Sequence, residues 1–124
     1  MSGHRLGTDL LLAANTKSLD QLDPGASGNI KVTESPQTMA LESAAAETRT
    51  LKDPDGPGAV LSMSFATDGG DITMTADTAI NQAGNNTMTW ADAGDHLLLI
   101  SAEISPGTYA WRVVANDGVA LSTV

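Results

Sequence analysis

The chain has no cysteine among its 124 residues. That excludes a disulfide framework, a thiolate metal site and a cysteine nucleophile. It fits folding in a reducing cytosol. Aromatic residues are almost as scarce: Phe65, Trp90, Tyr109 and Trp111 are the full set. A core must therefore be built from Leu, Ile, Val, Met and Ala, with modest burial per residue, so part of the stability is expected from neighbouring subunits. Basic residues are few as well. Six Lys and Arg face fifteen Asp and Glu, a formal net charge of −9. Such a chain repels phosphate backbones and anionic headgroups, so neither nucleic acid nor a membrane surface is an expected partner. Long apolar runs are missing too. Leu10–Ala14 is too short for a signal segment with its usual basic start, and no run approaches the ~20 residues that cross a bilayer. Asn85-Asn86-Thr87 is a formal glycosylation sequon, read here as a turn.

The chain does have short alternating runs punctuated by acidic glycine turns, most densely from Phe65 to Ser122. The turns are Asp68–Asp71, Ala83–Asn86, Asp92–Asp95, Ser105–Gly107 and Asn116–Gly118, each rich in residues that let a chain reverse. Between them, Leu61, Met63 and Phe65 alternate with serines, and Ile72, Met74 and Ala76 alternate with threonines. These two runs flank Asp68-Gly69-Gly70 and predict a β-hairpin over 59–77. Met88 with Trp90, and Tyr109 with Trp111 and Val113, mark two further strands. His96–Ile104 is more continuously apolar and predicts a strand that is central in its sheet or buried on both faces. A short strand at Val119–Ser122 closes the chain.

The earlier half is less patterned. Residues 1–29 lack periodicity and read either as a disordered terminus or as an extended docking arm and linker carrying Leu10, Leu11, Leu12, Leu19 and Leu22 as apolar anchors. Those five leucines are the candidate partner-binding residues, because exposed leucine is otherwise wasteful. Asn29–Glu34 predicts a short strand. Residues 38–52 have a helix-favouring middle and strand-like ends; strand–turn–strand is the preferred reading, with helix the alternative. The expected organisation is an arm over 1–29 and one all-β domain over 30–124, best defined over 55–124, folded as a β-sandwich or barrel-like body. The Asp68–Asp71 and Asp92–Asp95 turns form a weak internal echo, which common turn chemistry explains or which marks two strand–turn–strand units placed similarly in one sheet system.

Chemistry is thin. Asp68, Asp71, Asp92 and Asp95 are weak candidates for a calcium ion, since hard cations want clustered carboxylates. Neither turn matches an EF-hand loop, and aspartate at turns is explained by its own backbone hydrogen bonding. His4 and His96 are too isolated to make a zinc site. No nucleophile elbow, zinc-protease helix or phosphate loop is present, so the chain is not read as an enzyme and no cofactor is expected. Trp90, Tyr109 and Trp111 could line a sugar-binding face, but alternation makes them core anchors first. Arg112 points away from Trp111 and is expected to find an Asp or Glu within or between subunits.

The segments Thr48–Pro54, Thr67–Ala76, Ile80–Gly84, Trp90–Asp95 and Trp111–Ser122 together resemble the small β-rich head proteins of tailed bacteriophages known as decoration, cement or head-fibre proteins. The resemblance runs from Thr48 to Ser122, and the N-terminal part of the chain does not contribute to it. It implies a homotrimer on the outer capsid surface, made in the host cytoplasm, which bridges major capsid protein subunits and stabilises the shell. A receptor- or glycan-binding fibre domain and a calcium-stabilised β module are the rival expectations.

Overall fold

The computed structural model describes residues 21–124, so Leu10, Leu11, Leu12 and Leu19 lie outside the described residues. Nine strands follow one another: β1 (Gly28–Ile30), β2 (Gln37–Glu42), β3 (Glu47–Leu51), β4 (Val60–Thr67), β5 (Ile72–Ala76), β6 (Thr87–Trp90), β7 (His96–Ser105), β8 (Thr108–Asp117) and β9 (Ala120–Ser122). They form two mixed sheets, ordered β1-β3-β5-β6-β9 and β2-β4-β7-β8. The described chain is all-β, a two-sheet sandwich. Residues 38–52 adopt the preferred strand–turn–strand reading, as β2 and β3.

The first five strands do not form hairpins. Each crosses to the opposite sheet, and strands two apart in sequence lie side by side in parallel. Gly28 pairs with Arg49, Gln37 with Leu61 and Glu47 with Ile72, so each turn of the winding consists of one strand from either sheet. The predicted hairpin over 59–77 is therefore corrected: β4 and β5 belong to different sheets and do not pair. The reason lies in the two glycines. A Cβ on Gly69 would sit 2.4 Å from the Ser43 carbonyl oxygen, and one on Gly70 would sit 2.4 Å from the Ala45 carbonyl carbon. The β4–β5 corner is stacked directly on the β2–β3 corner. Gly69 and Gly70 allow that close approach rather than a tight reversal. Ser43 locks the stack, donating its hydroxyl to the Gly70 carbonyl at 2.6 Å and accepting from the Gly69 N–H at 3.1 Å.

From β5 onward pairing becomes antiparallel, β5 to β6 to β9 and β4 to β7 to β8. The echo between Asp68–Asp71 and Asp92–Asp95 does not mark a pair of equivalent units in one sheet. The repetition that the fold does use lies earlier, in the parallel pairs β1–β3, β2–β4 and β3–β5.

Alternation sets the core. Met39, Leu41, Leu61, Met63 and Phe65 face inward from one sheet, and Leu51, Ile72, Met74 and Met88 from the other. Ile30, Val32, Met39 and Leu41 show that the polar first half joins the core more fully than its composition predicts. The two tryptophans cross the sandwich in opposite senses. Trp90 on β6 donates its indole N–H to the Met63 carbonyl at 3.3 Å, and Trp111 on β8 donates to the Lys52 carbonyl at 3.0 Å. Both are buried, as expected of core anchors. β7 is central in its sheet, but only one face is covered: Leu97 and Leu99 are buried whereas Ile100 is 37% exposed. Of the two expected placements the strand takes the central one and not burial on both faces, because no second layer covers that side among the described residues.

Candidate functional site

The most elaborate polar constellation surrounds Arg49. Its neighbours in β3, Thr48 and Thr50, face outward, so the phase of the strand turns Arg49 inward with Leu51. The guanidinium is fully buried. Asp23 meets it in a fork, Nε to Oδ1 at 2.7 Å and Nη2 to Oδ2 at 3.0 Å, and Glu47 Oε1 accepts from Nη2 at 3.1 Å. The Glu42 and Thr48 carbonyls accept the remaining bonds. Asp23 also accepts from the backbone N–H groups of Gly25 and Glu42. Burial alone would raise the Asp23 carboxyl. The bonds from Arg49, Glu42 and Gly25, with the charge of Arg49, outweigh that and hold it below its ordinary value. Glu47 is likewise held low, first by the Ala44 N–H and then by Arg49 against the effect of burial. The Arg49 guanidinium is pushed up by its bond to Asp23.

This clamp fixes the root of the N-terminal segment. Gln21 donates its N–H to the Thr38 carbonyl on β2, so residues 21–23 lie across the opening turn of the winding. Beside them a groove of about 480 Å³ is lined by Gln21, Leu22, Asp23, Thr38, Ala40 and Ser64, among others. Leu22, one of the predicted partner-binding leucines, is 90% exposed there.

The aspartate turns gather at one end of the sandwich. Phe65 donates its N–H to the Asp95 carbonyl and accepts from the Gly94 N–H, which sets the Asp92–Asp95 corner beside the end of β4. Asp68 accepts from the Gly70 N–H at 3.1 Å. Asp95 accepts from the N–H groups of Ala91 and Asp92 at 3.1 and 3.0 Å. The Asp68 and Asp95 carboxylates serve their own turns. Among the described residues no group of three or more His, Asp and Glu side chains is arranged to hold a metal ion. His96 Nε2 lies 2.6 Å from the Ser62 hydroxyl, a bond between neighbouring strands β4 and β7.

The two outer faces differ. On the five-stranded sheet, Thr48 pairs with Thr73 and Thr73 with Thr89, while Thr50 pairs with Thr75. Within the strands this face is a threonine ladder, bordered by the Lys52–Asp77 ion pair at 3.2 Å. On the four-stranded sheet the outward positions of β7 are His96, Leu98, Ile100 and Ala102, a far more apolar series. Trp90 and Trp111 are removed from any sugar-binding role by burial, and Tyr109 is half-buried.

No family model and no curated protein matches the chain.

Sequence reasoning missed the Arg49 clamp. The signal was available: the inward phase of β3 falls on a cation in a chain with few of them, and a buried cation demands carboxylate partners.

Proposed function

We propose that this chain is a structural virion protein, a capsid decoration or cement protein that binds the outer surface of a tailed-phage head as a homotrimer and stabilises the major capsid protein lattice. The reading starts from the resemblance carried by Thr48–Ser122. The observation that supports it best is the anchored root of the N-terminal segment: Asp23 is clamped on buried Arg49 while the adjacent Leu22 stands in solvent beside a groove along β2. A segment fixed at its base and apolar at its surface suits docking on a neighbouring protein, where an extended strand adds to a sheet edge. The acidic surface suits the outside of a shell better than its DNA-filled lumen. Binding the mature lattice alone then stabilises that lattice by mass action.

The test is co-sedimentation of purified full-length protein with expanded, undecorated capsids, followed by imaging at subunit resolution. Saturable binding and density on the capsid exterior are expected. Removal of residues 1–20 is expected to abolish or greatly weaken binding. Density at the tail or in the lumen sinks the reading.

A further inference from the structure

We propose that Asp55 is a site of spontaneous covalent modification, where the main chain rearranges to isoaspartate through the Asp55–Gly56 peptide. The sequence holds three Asp-Gly pairs, at 55–56, 68–69 and 117–118, and no Asn-Gly pair. Glycine after aspartate presents a backbone nitrogen that no side chain shields. In the reaction the Gly56 nitrogen attacks Asp55 Cγ. The N–Cγ bond forms, a carboxyl C–O bond breaks, and the amide proton leaves with that oxygen as water. Water then opens the resulting succinimide ring. Cleavage of the Cγ–N bond restores aspartate, and cleavage on the other side leaves the main chain running through the Asp55 side chain. Atoms balance with water alone, and nothing is oxidised or reduced.

The reaction needs a free nitrogen and a carboxyl that can swing over it, and the fold grants these unequally. At Asp68 both groups are engaged. The Gly69 N–H donates to Ser43 Oγ at 3.1 Å, and the Asp68 carboxylate accepts from the Gly70 N–H at 3.1 Å. Gly69 also lies against the Ser43 and Ala44 backbone, so its peptide has no room to turn. At Asp117 the peptide is bracketed. Asn116 Oδ1 accepts from the Val119 N–H at 2.9 Å, and Asn116 Nδ2 donates to the Val119 carbonyl at 2.8 Å. Asp117 is held in register with His96, and Gly118 packs on the Asp95 carboxylate. Asp55 and Gly56 lie instead in the segment between β3 and β4. Among the described residues the Gly56 N–H has no hydrogen-bond partner. A Cβ on Gly56 would meet nothing within 4 Å, and a cavity of about 240 Å³ lined by Val32, Ser35, Pro54 and Pro57 adjoins it. The ring and the water that opens it therefore have space. The restraint that remains is Lys31, which donates to Asp55 Oδ1 at 2.8 Å. Asp55 is 81% exposed, and an ion pair in water holds its partner weakly.

The test ages the folded full-length protein at neutral pH in water enriched in heavy oxygen. Peptide mass mapping then locates the label, and an isoaspartyl methyltransferase marks the product. Isoaspartate carrying one heavy oxygen is expected at position 55, forming on the order of tenfold faster than at 68 or 117. Lys31→Ala is expected to speed it. Gly56→Ala has open space for its methyl group, so it is expected to slow the reaction severalfold while thermal unfolding stays unchanged. In urea, where the hydrogen bonds are gone, the three sites are expected to react at similar rates. Faster reaction at 68 or 117 than at 55 in the folded protein overturns the proposal. So does an unchanged rate in Gly56→Ala, since the attack would then not come from that nitrogen. An equal preference for 55 in urea overturns it as well, because neighbouring residues and not the fold would then choose the site.

Discussion

Asp23 and Arg49 are 26 residues apart and meet in a two-bond fork inside the sandwich, at 2.7 and 3.0 Å. The pair joins the segment that enters the fold to the second turn of the winding. Because Asp23 also takes the Glu42 N–H, one carboxylate ties together the root, β2 and β3.

Removing that carboxylate should be expensive. Asp23→Asn leaves a buried guanidinium with Glu47 as its only charged partner, and breaking a buried pair from one side costs about 3 kcal/mol. Urea unfolding should show the midpoint falling with the slope unchanged. Lys31→Ala is the control. Lys31 bonds Asp55 at 2.8 Å, but Asp55 is 81% exposed, so the loss should stay under about 1 kcal/mol.

Acid should weaken the same clamp. The folded Asp23 and Glu47 carboxyls are both held below their ordinary values. Their contribution is therefore complete above the unfolded carboxyl value of about 4 and is lost as pH falls through the lower folded value. The raised Arg49 value acts in the opposite sense only at strongly alkaline pH. Thermal unfolding followed across pH should hold level near neutrality and drop below about pH 4. Asp23→Asn should show a shallower acid limb. An identical limb in both proteins would remove Asp23 from the account.

Much of the sandwich was legible because alternation is a local property. Leu61, Met63 and Phe65 could face only one way once Ser62 and Ser64 faced the other, and the same holds for Ile72, Met74 and Ala76. Strand partners were not legible. Asp68-Gly69-Gly70 reads equally as a hairpin turn or as a corner between sheets, and the deciding contact is with Ser43–Ala45, a full turn of the winding earlier in the chain. Leu22 was legible as an exposed apolar side chain because nothing near it in sequence could bury it. Arg49 shares the inward phase of Leu51, so its burial was readable from Thr48-Arg49-Thr50-Leu51, but its partner Asp23, 26 residues away, was not.

The tryptophans should separate packing from hydrogen bonding. Trp111→Phe keeps an aromatic ring in the core but leaves the Lys52 carbonyl without its 3.0 Å donor. The expected loss is about 1 to 3 kcal/mol. Trp111→Ala adds a cavity and should cost about 3 to 5 kcal/mol. Both indoles are buried, so wild-type fluorescence should be blue-shifted and move red in one cooperative step on unfolding. A red-shifted folded spectrum would contradict the burial.

The glycines should fall into two classes that a sequence cannot tell apart. Gly84 has φ +94 with nothing near its would-be Cβ, so Gly84→Ala meets only the left-handed backbone penalty, about 1 kcal/mol. Gly70 has an ordinary φ, but its would-be Cβ meets the Ala45 carbonyl carbon and the Ala46 nitrogen, each at 2.4 Å. Those are backbone atoms of a stacked corner and cannot rotate away. Relief requires parting the β2–β3 and β4–β5 corners, which breaks the Ser43 bonds to Gly69 and Gly70. Gly70→Ala should therefore cost about 3 kcal/mol, well above Gly84→Ala. Chemical denaturation of the two variants side by side reads the difference. Equal losses would mean that the corners are not stacked and that Gly69 and Gly70 serve only as a turn.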